Sequence, residues 1–117
     1  MKAIILAAFA TALGSSAASA DQFGLATYYH NPWHGGLIAA HLTLPFGTRV
    51  RVTNLDNGRT VVVTIVDRGP YAYGRIIDVS DVAADVLGMR QAGVVHVRLE
   101  SLLAGRSELT PSELVRE

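Results

Sequence analysis

The chain contains no cysteine and only one lysine, Lys2. Without cysteine no disulfide can staple the fold and no lipidated thiol can follow an export signal, so the core must hold by burial alone. Long apolar runs are nearly absent as well. The one candidate, Ala3 to Leu13, is shorter than the roughly 20 apolar residues that a bilayer-spanning helix needs. It follows the basic start Met1-Lys2 and precedes the small-residue stretch Ala18-Ser19-Ala20, the pattern of a secretory signal peptide over residues 1–20 with the mature chain starting at Asp21. The expectation is an exported protein, periplasmic or secreted and soluble, with no membrane anchor.

An excess of charge of either sign is also lacking. Beyond residue 20, nine arginines stand against ten carboxylates, a formal charge of −1, which gives no electrostatic case for nucleic acid or an anionic membrane as partner. Acids are missing altogether between Asp21 and Asp56. The 97 residues after the signal suffice for one domain near the size at which a core becomes marginal.

What is present reads mainly as β-structure. Gly24 to His30 has the β-branched and aromatic content of a strand. Asn31 to Gly36 carries the proline and glycines of a loop. Thr48 to Asn54 alternates at period two, and Arg59 to Val66 is apolar on both faces, as a central returning strand would be. Between them Asp56-Asn57-Gly58 predicts a tight primed hairpin turn. Asp67-Arg68-Gly69-Pro70 breaks the chain, and Ile76 to Val79 is a short apolar run. Ser80 predicts a helix cap for Asp81 to Leu87, with Val82, Val86 and Leu87 on the apolar side and Gly88 as its stop. Val94 to Glu100 alternates again, and the charged tail 101–117 is expected to fray. Four or five short strands and one helix favour a small closed barrel, because closure removes exposed edges.

Four segments carry a resemblance when taken together: Gly24 to Tyr29, Ala39 to Thr48, Val50 to Arg59, and Asp67-Arg68-Gly69-Pro70 through Arg75 to Ser80. In this order and spacing they resemble the rare lipoprotein A (RlpA) family of septal-ring lytic transglycosylases. The resemblance implies a mainly β fold over residues 21–100, a six-stranded double-psi β-barrel with one short helix, related to expansins. It also implies endolytic cleavage of peptidoglycan glycan between N-acetylmuramic acid and N-acetylglucosamine, preferably on strands lacking stem peptides, leaving a 1,6-anhydro end. No cofactor is implied; cell-division or other wall proteins are possible partners. The family's Thr-Ala-Asn/Ser-Gly-Glu motif is missing here, since residues 34–41 read His-Gly-Gly-Leu-Ile-Ala-Ala-His. A non-catalytic glycan-binding or wall-loosening module is therefore the alternative.

Glycosidic cleavage needs an acid at the leaving oxygen, and anhydro-ring formation needs a base for the 6-hydroxyl. Asp67 matches the family's catalytic aspartate and is the candidate for both roles, against the alternative of a turn aspartate capping the amides of Arg68 and Gly69 or pairing with Arg75. Asp78 is expected to be structural. His41 matches a characteristic family position and is expected to hydrogen-bond near the groove. Tyr29, Trp33, Tyr71 and Tyr73 offer flat faces for sugar rings, and Arg68 and Arg75 are candidates for holding glycan oxygens or orienting Asp67. His30, His34 and His41 match no metal-ligand spacing, so no metal site is assigned.

Overall fold

A computed structural model describes residues 21–102. The signal peptide assigned to residues 1–20, and the tail beyond residue 102, lie outside the described residues. Six strands, β1 (Gln22–Tyr29), β2 (Ile38–Ala40), β3 (Arg49–Asn54), β4 (Thr60–Asp67), β5 (Arg75–Ser80) and β6 (Val95–Leu102), and one helix, α1 (Asp81–Leu87), make up the domain. The strands close into a barrel in the order β1-β5-β2-β4-β3-β6. The pairs β1/β5 and β2/β4 are parallel, while the other neighbours run antiparallel. Ser101 and Leu102, expected in the tail, continue β6 by pairing with Val50 and Arg49.

The period-two patterns do what they predict. On β3, Val50, Val52 and Asn54 are buried and Arg49, Arg51 and Thr53 are not; on β6, Val95, Val97 and Leu99 point in while His96, Arg98 and Glu100 do not. These side chains meet Ala26, Ala39, Val61, Val63, Ile65, Ile77 and Val79 in one core. Each fully buried valine or isoleucine is worth about 1.5–3 kcal/mol, which is how so small a barrel dispenses with cross-links.

Helix α1 has the predicted bounds. The Ser80 side chain accepts from the Ala83 amide, and Gly88 ends the helix in the left-handed region at φ 66°. Its inner face is a correction to the sequence reading: Ala83, Ala84 and Leu87 are buried, whereas Val82 and Val86 are exposed. The helix lies close over strands β4, β5 and β1, and alanines allow that approach where valines would not.

The hairpin turn also differs from expectation. Among the described residues every positive φ belongs to glycine, so Gly58 (φ 80°) but not Asn57 is left-handed and the two-residue primed turn is excluded. The chain instead makes a wider turn closed by the Gly58 amide on the Asn54 carbonyl at 2.7 Å. Within it Asn54 Oδ1 accepts from the Asp56 amide and Asn57 Oδ1 from the Arg59 amide, each at 2.9 Å, which leaves the two NH2 groups to reach outward. Asn54 and Asn57 both donate through Nδ2 to the Leu87 carbonyl, at 2.9 and 3.0 Å, and so satisfy the last turn of α1.

Candidate functional site

Strand β2 is only three residues long, yet it sets the site. Its last residue, Ala40, is the register partner of Asp67 on β4 and of Asp78 on β5. Two strand spacings separate the acids, about 9–10 Å at the backbone. Thr27 faces Asp78 from β1, and Tyr29 ends the same strand.

Asp67 accepts two hydrogen bonds. The Arg68 amide donates to Oδ1 at 3.0 Å, and the Tyr29 hydroxyl donates to Oδ2 at 3.1 Å. Tyr29 in turn receives a bond from Asn31 Nδ2 at 3.0 Å. Burial, together with the nearby Asp67 carboxylate and against the Asn31 donor, pushes the Tyr29 phenol up to about 12.

Asp78 has a different environment. Its Oδ1 accepts from the Thr27 hydroxyl at 2.8 Å. Burial raises its pKa above the ordinary carboxylate range; the Thr27 donor and the Arg75 charge oppose that, and Asp67 adds to it. A half-buried acid with a like charge nearby holds its proton longer than an exposed one.

His41 is buried, and both ring nitrogens are engaged. The amides of Thr43 and Leu44 donate to Nδ1, each at 3.1 Å. An amide can only donate, so Nδ1 is the unprotonated nitrogen, and Nε2 carries the proton shared with Gln22 Oε1 at 3.0 Å. Burial and the Arg68 charge lower its pKa. The ring therefore holds the 41–46 turn, while the His41 amide donates to the Asp67 carbonyl at 3.1 Å.

Arg68 braces the same turn. One guanidinium nitrogen donates to the carbonyls of His41 (3.0 Å) and Leu44 (2.8 Å), and the plane lies 4.3 Å from the centroid of Phe46. Its side chain is thus committed to the turn and its amide to Asp67; the electrostatic influence of Arg75 falls on Asp78. Trp33 (85 % exposed) and Tyr71 (79 %) stand on the 30–37 and 68–74 loops with the fully exposed Tyr73. The histidines are dispersed: His30 pairs with Asp81 at 3.3 Å, His34 is exposed in the loop and His41 is buried. Sequence reasoning did not single out Asn31, Thr27 or Gln22. Only Asn31 left a signal, in the Asn31-Pro32 dipeptide that favours turn initiation.

Residues 34–99 match the double-psi barrel family described as lytic transglycolase, more than half of the chain. The chain belongs to this RlpA-like family. Over 66 residues it is 64 % identical to a probable endolytic peptidoglycan transglycosylase RlpA of a Nostoc species, covering 56 % of this chain and 18 % of that relative. Over 98 residues it is 42 % identical to the endolytic peptidoglycan transglycosylase RlpA of Neisseria meningitidis, covering 74 % of this chain and 41 % of the relative. The chain thus spans less than half the length of these relatives. Among solved structures, the apo expansin of Clavibacter michiganensis superposes with a TM-score of 0.62 at 20 % identity, covering 75 % of this chain and 53 % of that one. A variant of that expansin, solved in complex with cellohexaose, superposes equally well at 19 % identity over the same shares. The Streptomyces papain inhibitor follows at 0.59 and 24 % identity, covering 72 % of this chain and 96 % of its own. At such identities the likeness establishes the barrel fold.

Proposed function

We propose that this RlpA-like barrel is an exported endolytic peptidoglycan transglycosylase that cuts glycan strands between N-acetylmuramic acid and N-acetylglucosamine. The observation that carries the reading is the pair of carboxylates in register with Ala40, one raised in pKa and one held as a double acceptor. The pair extends the single-carboxylate scheme built on Asp67 to a division of labour. Asp78, whose pKa is raised by burial, donates to the glycosidic oxygen as the bond from the muramic C1 breaks. Asp67 takes the proton from the muramic 6-hydroxyl as its oxygen closes on C1. The result is a 1,6-anhydro end and a free hydroxyl on the departing sugar, with no water consumed. Such a division needs no glutamate from the missing motif.

A second reading is favoured by a specific observation. Trp33, Tyr71 and Tyr73 are exposed aromatic faces, and aromatic faces hold sugars without cutting them. On that reading the barrel is a glycan-binding or wall-loosening module. One experiment separates the two: the protein and its Asp67→Asn and Asp78→Asn variants are incubated with amidase-stripped peptidoglycan, and 1,6-anhydro-muramyl products are sought by mass spectrometry. Products from the wild type alone support the enzyme. Co-sedimentation with glycan and no product from any of the three leaves the binding module.

A further inference from the structure

Asn31 is buried, whereas Pro32 to Gly36 after it are all exposed. Its side chain is fixed by groups whose polarity cannot change. The amides of Trp33 and His34 both donate to its oxygen, at 2.8 and 3.0 Å. Because amides only donate, the atom they face must be Oδ1, and the atom facing Tyr29 must be the NH2 group. That NH2 donates to the Tyr29 hydroxyl oxygen at 3.0 Å. The phenolic proton then turns away from Asn31, and its partner is Asp67 Oδ2 at 3.1 Å. Backbone polarity in the 31–34 turn is thereby transmitted through two side chains to one carboxylate oxygen.

We propose that Asn31 and Tyr29 are positioning residues for Asp67, a relay by which the short 30–37 loop orients this carboxylate for proton abstraction. The relay rests on the transglycosylase reading above for its catalytic consequence, though not for its existence. It gives the loop a role toward the carboxylate although the loop supplies no acid of its own. Since the Arg68 amide already occupies Oδ1, the Tyr29 hydroxyl decides whether Oδ2 is held or free to rotate out of line. Neither residue touches the reacting atoms; both act through Asp67.

Two variants break the relay differently. Tyr29→Phe deletes the hydroxyl and leaves the turn alone. Asn31→Asp keeps an oxygen for the Trp33 and His34 amides but replaces the NH2 donor by a second acceptor, which competes with Asp67 for the phenolic proton. Each is expected to lower kcat on amidase-stripped glycan about tenfold with KM changed less than about twofold, and to move the acidic limb of the pH–kcat profile upward, as loss of a donor to a carboxylate requires. A structural role alone predicts lower activity with the limb in place, and that result overturns the proposal. A readout independent of turnover is the ionisation of Tyr29, followed by the NMR signal of 13C-labelled tyrosine. It should fall in Asp67→Asn and rise in Asn31→Asp; a midpoint unmoved in both overturns the relay. If the wild type yields no anhydro product, the transglycosylase reading fails, and the relay then stands or falls on the Tyr29 titration alone.

Discussion

Thr27 donates its hydroxyl to Oδ1 of Asp78 at 2.8 Å, across the parallel β1–β5 register in which the two residues face each other. This donor favours the charged carboxyl and opposes the upward push of burial. Thr27→Val keeps the shape and removes the donor. Asp78 should then hold its proton to higher pH, and the basic limb of the pH–rate profile should move up. A basic limb that stays in place would mean that Asp78 is not the proton donor.

The same burial predicts how stability depends on pH. With its pKa raised in the folded state, Asp78 contributes fully below its unfolded value, about 3.9, and that contribution is lost as pH rises through the folded value. Asp78→Asn still accepts from Thr27 and carries no charge to bury. The variant should be more stable than the wild type at pH 7, with the difference shrinking toward pH 4. Urea unfolding at both values decides it; a variant less stable at pH 7 would show that the buried charge is held favourably.

His41 carries the opposite sign. Its pKa is lowered by burial and by Arg68, so its contribution is complete above the unfolded value of about 6.5 and is lost as pH falls toward the folded one. Protonation would put a hydrogen on Nδ1 facing the two amides that now donate to it. His41→Ala leaves both part-buried amides without that acceptor and should cost about 1–3 kcal/mol at pH 7, at about 0.5–1.5 kcal/mol for each hydrogen bond lost. Denaturation of the wild type and variant across pH 5–8 should show the gap narrowing on the acid side.

How much of this was legible in the sequence depended on how local the cause was. Alternation on β3 and β6, the Ser80 cap and the Gly88 stop act within a few residues and read correctly. Strand β2 has too few residues for any period to show, and it is a strand only because β4 and β5 flank it. The Asn57-Gly58 turn misled because Asn57 is engaged by Leu87, thirty residues away. The same holds at the site. The surroundings of Asp78 are made by Thr27 and Asp67, which reach it only through barrel closure, and Asn31 reaches Asp67 only through Tyr29.

Barrel closure also sets a steric limit at Gly24. A Cβ there would lie 2.8 Å from Ile76 Cγ2, a methyl fixed on a β-branched carbon and unable to swing aside. Gly24→Ala should therefore destabilise by about 1–3 kcal/mol, the usual cost of overpacking. In an Ile76→Ala background the same substitution should cost less than about half of that, measured as a double-mutant cycle by urea unfolding. Equal costs in both backgrounds would show that the strand shifts instead.

Trp33, Tyr71 and Tyr73 contribute little to the core, being 85, 79 and 101 % exposed, so replacing them by alanine should change stability by no more than about 0.5 kcal/mol. Their expected effect is on glycan. If the rings form a sugar platform, each alanine should weaken binding to denuded strands by about 1 kcal/mol, roughly fivefold, as measured by co-sedimentation at graded glycan concentrations. The pattern across the three also bears on mechanism. In an enzyme that holds its substrate through these rings in both the ground and transition states, the losses appear in KM while kcat is kept. If instead kcat falls with KM unchanged, the rings act only as the bond breaks, and the sugar must shift against Trp33 or Tyr71 during cleavage. Unchanged binding in all three variants would remove the aromatic platform and leave the strand faces around Ala40 as the surface that holds the glycan.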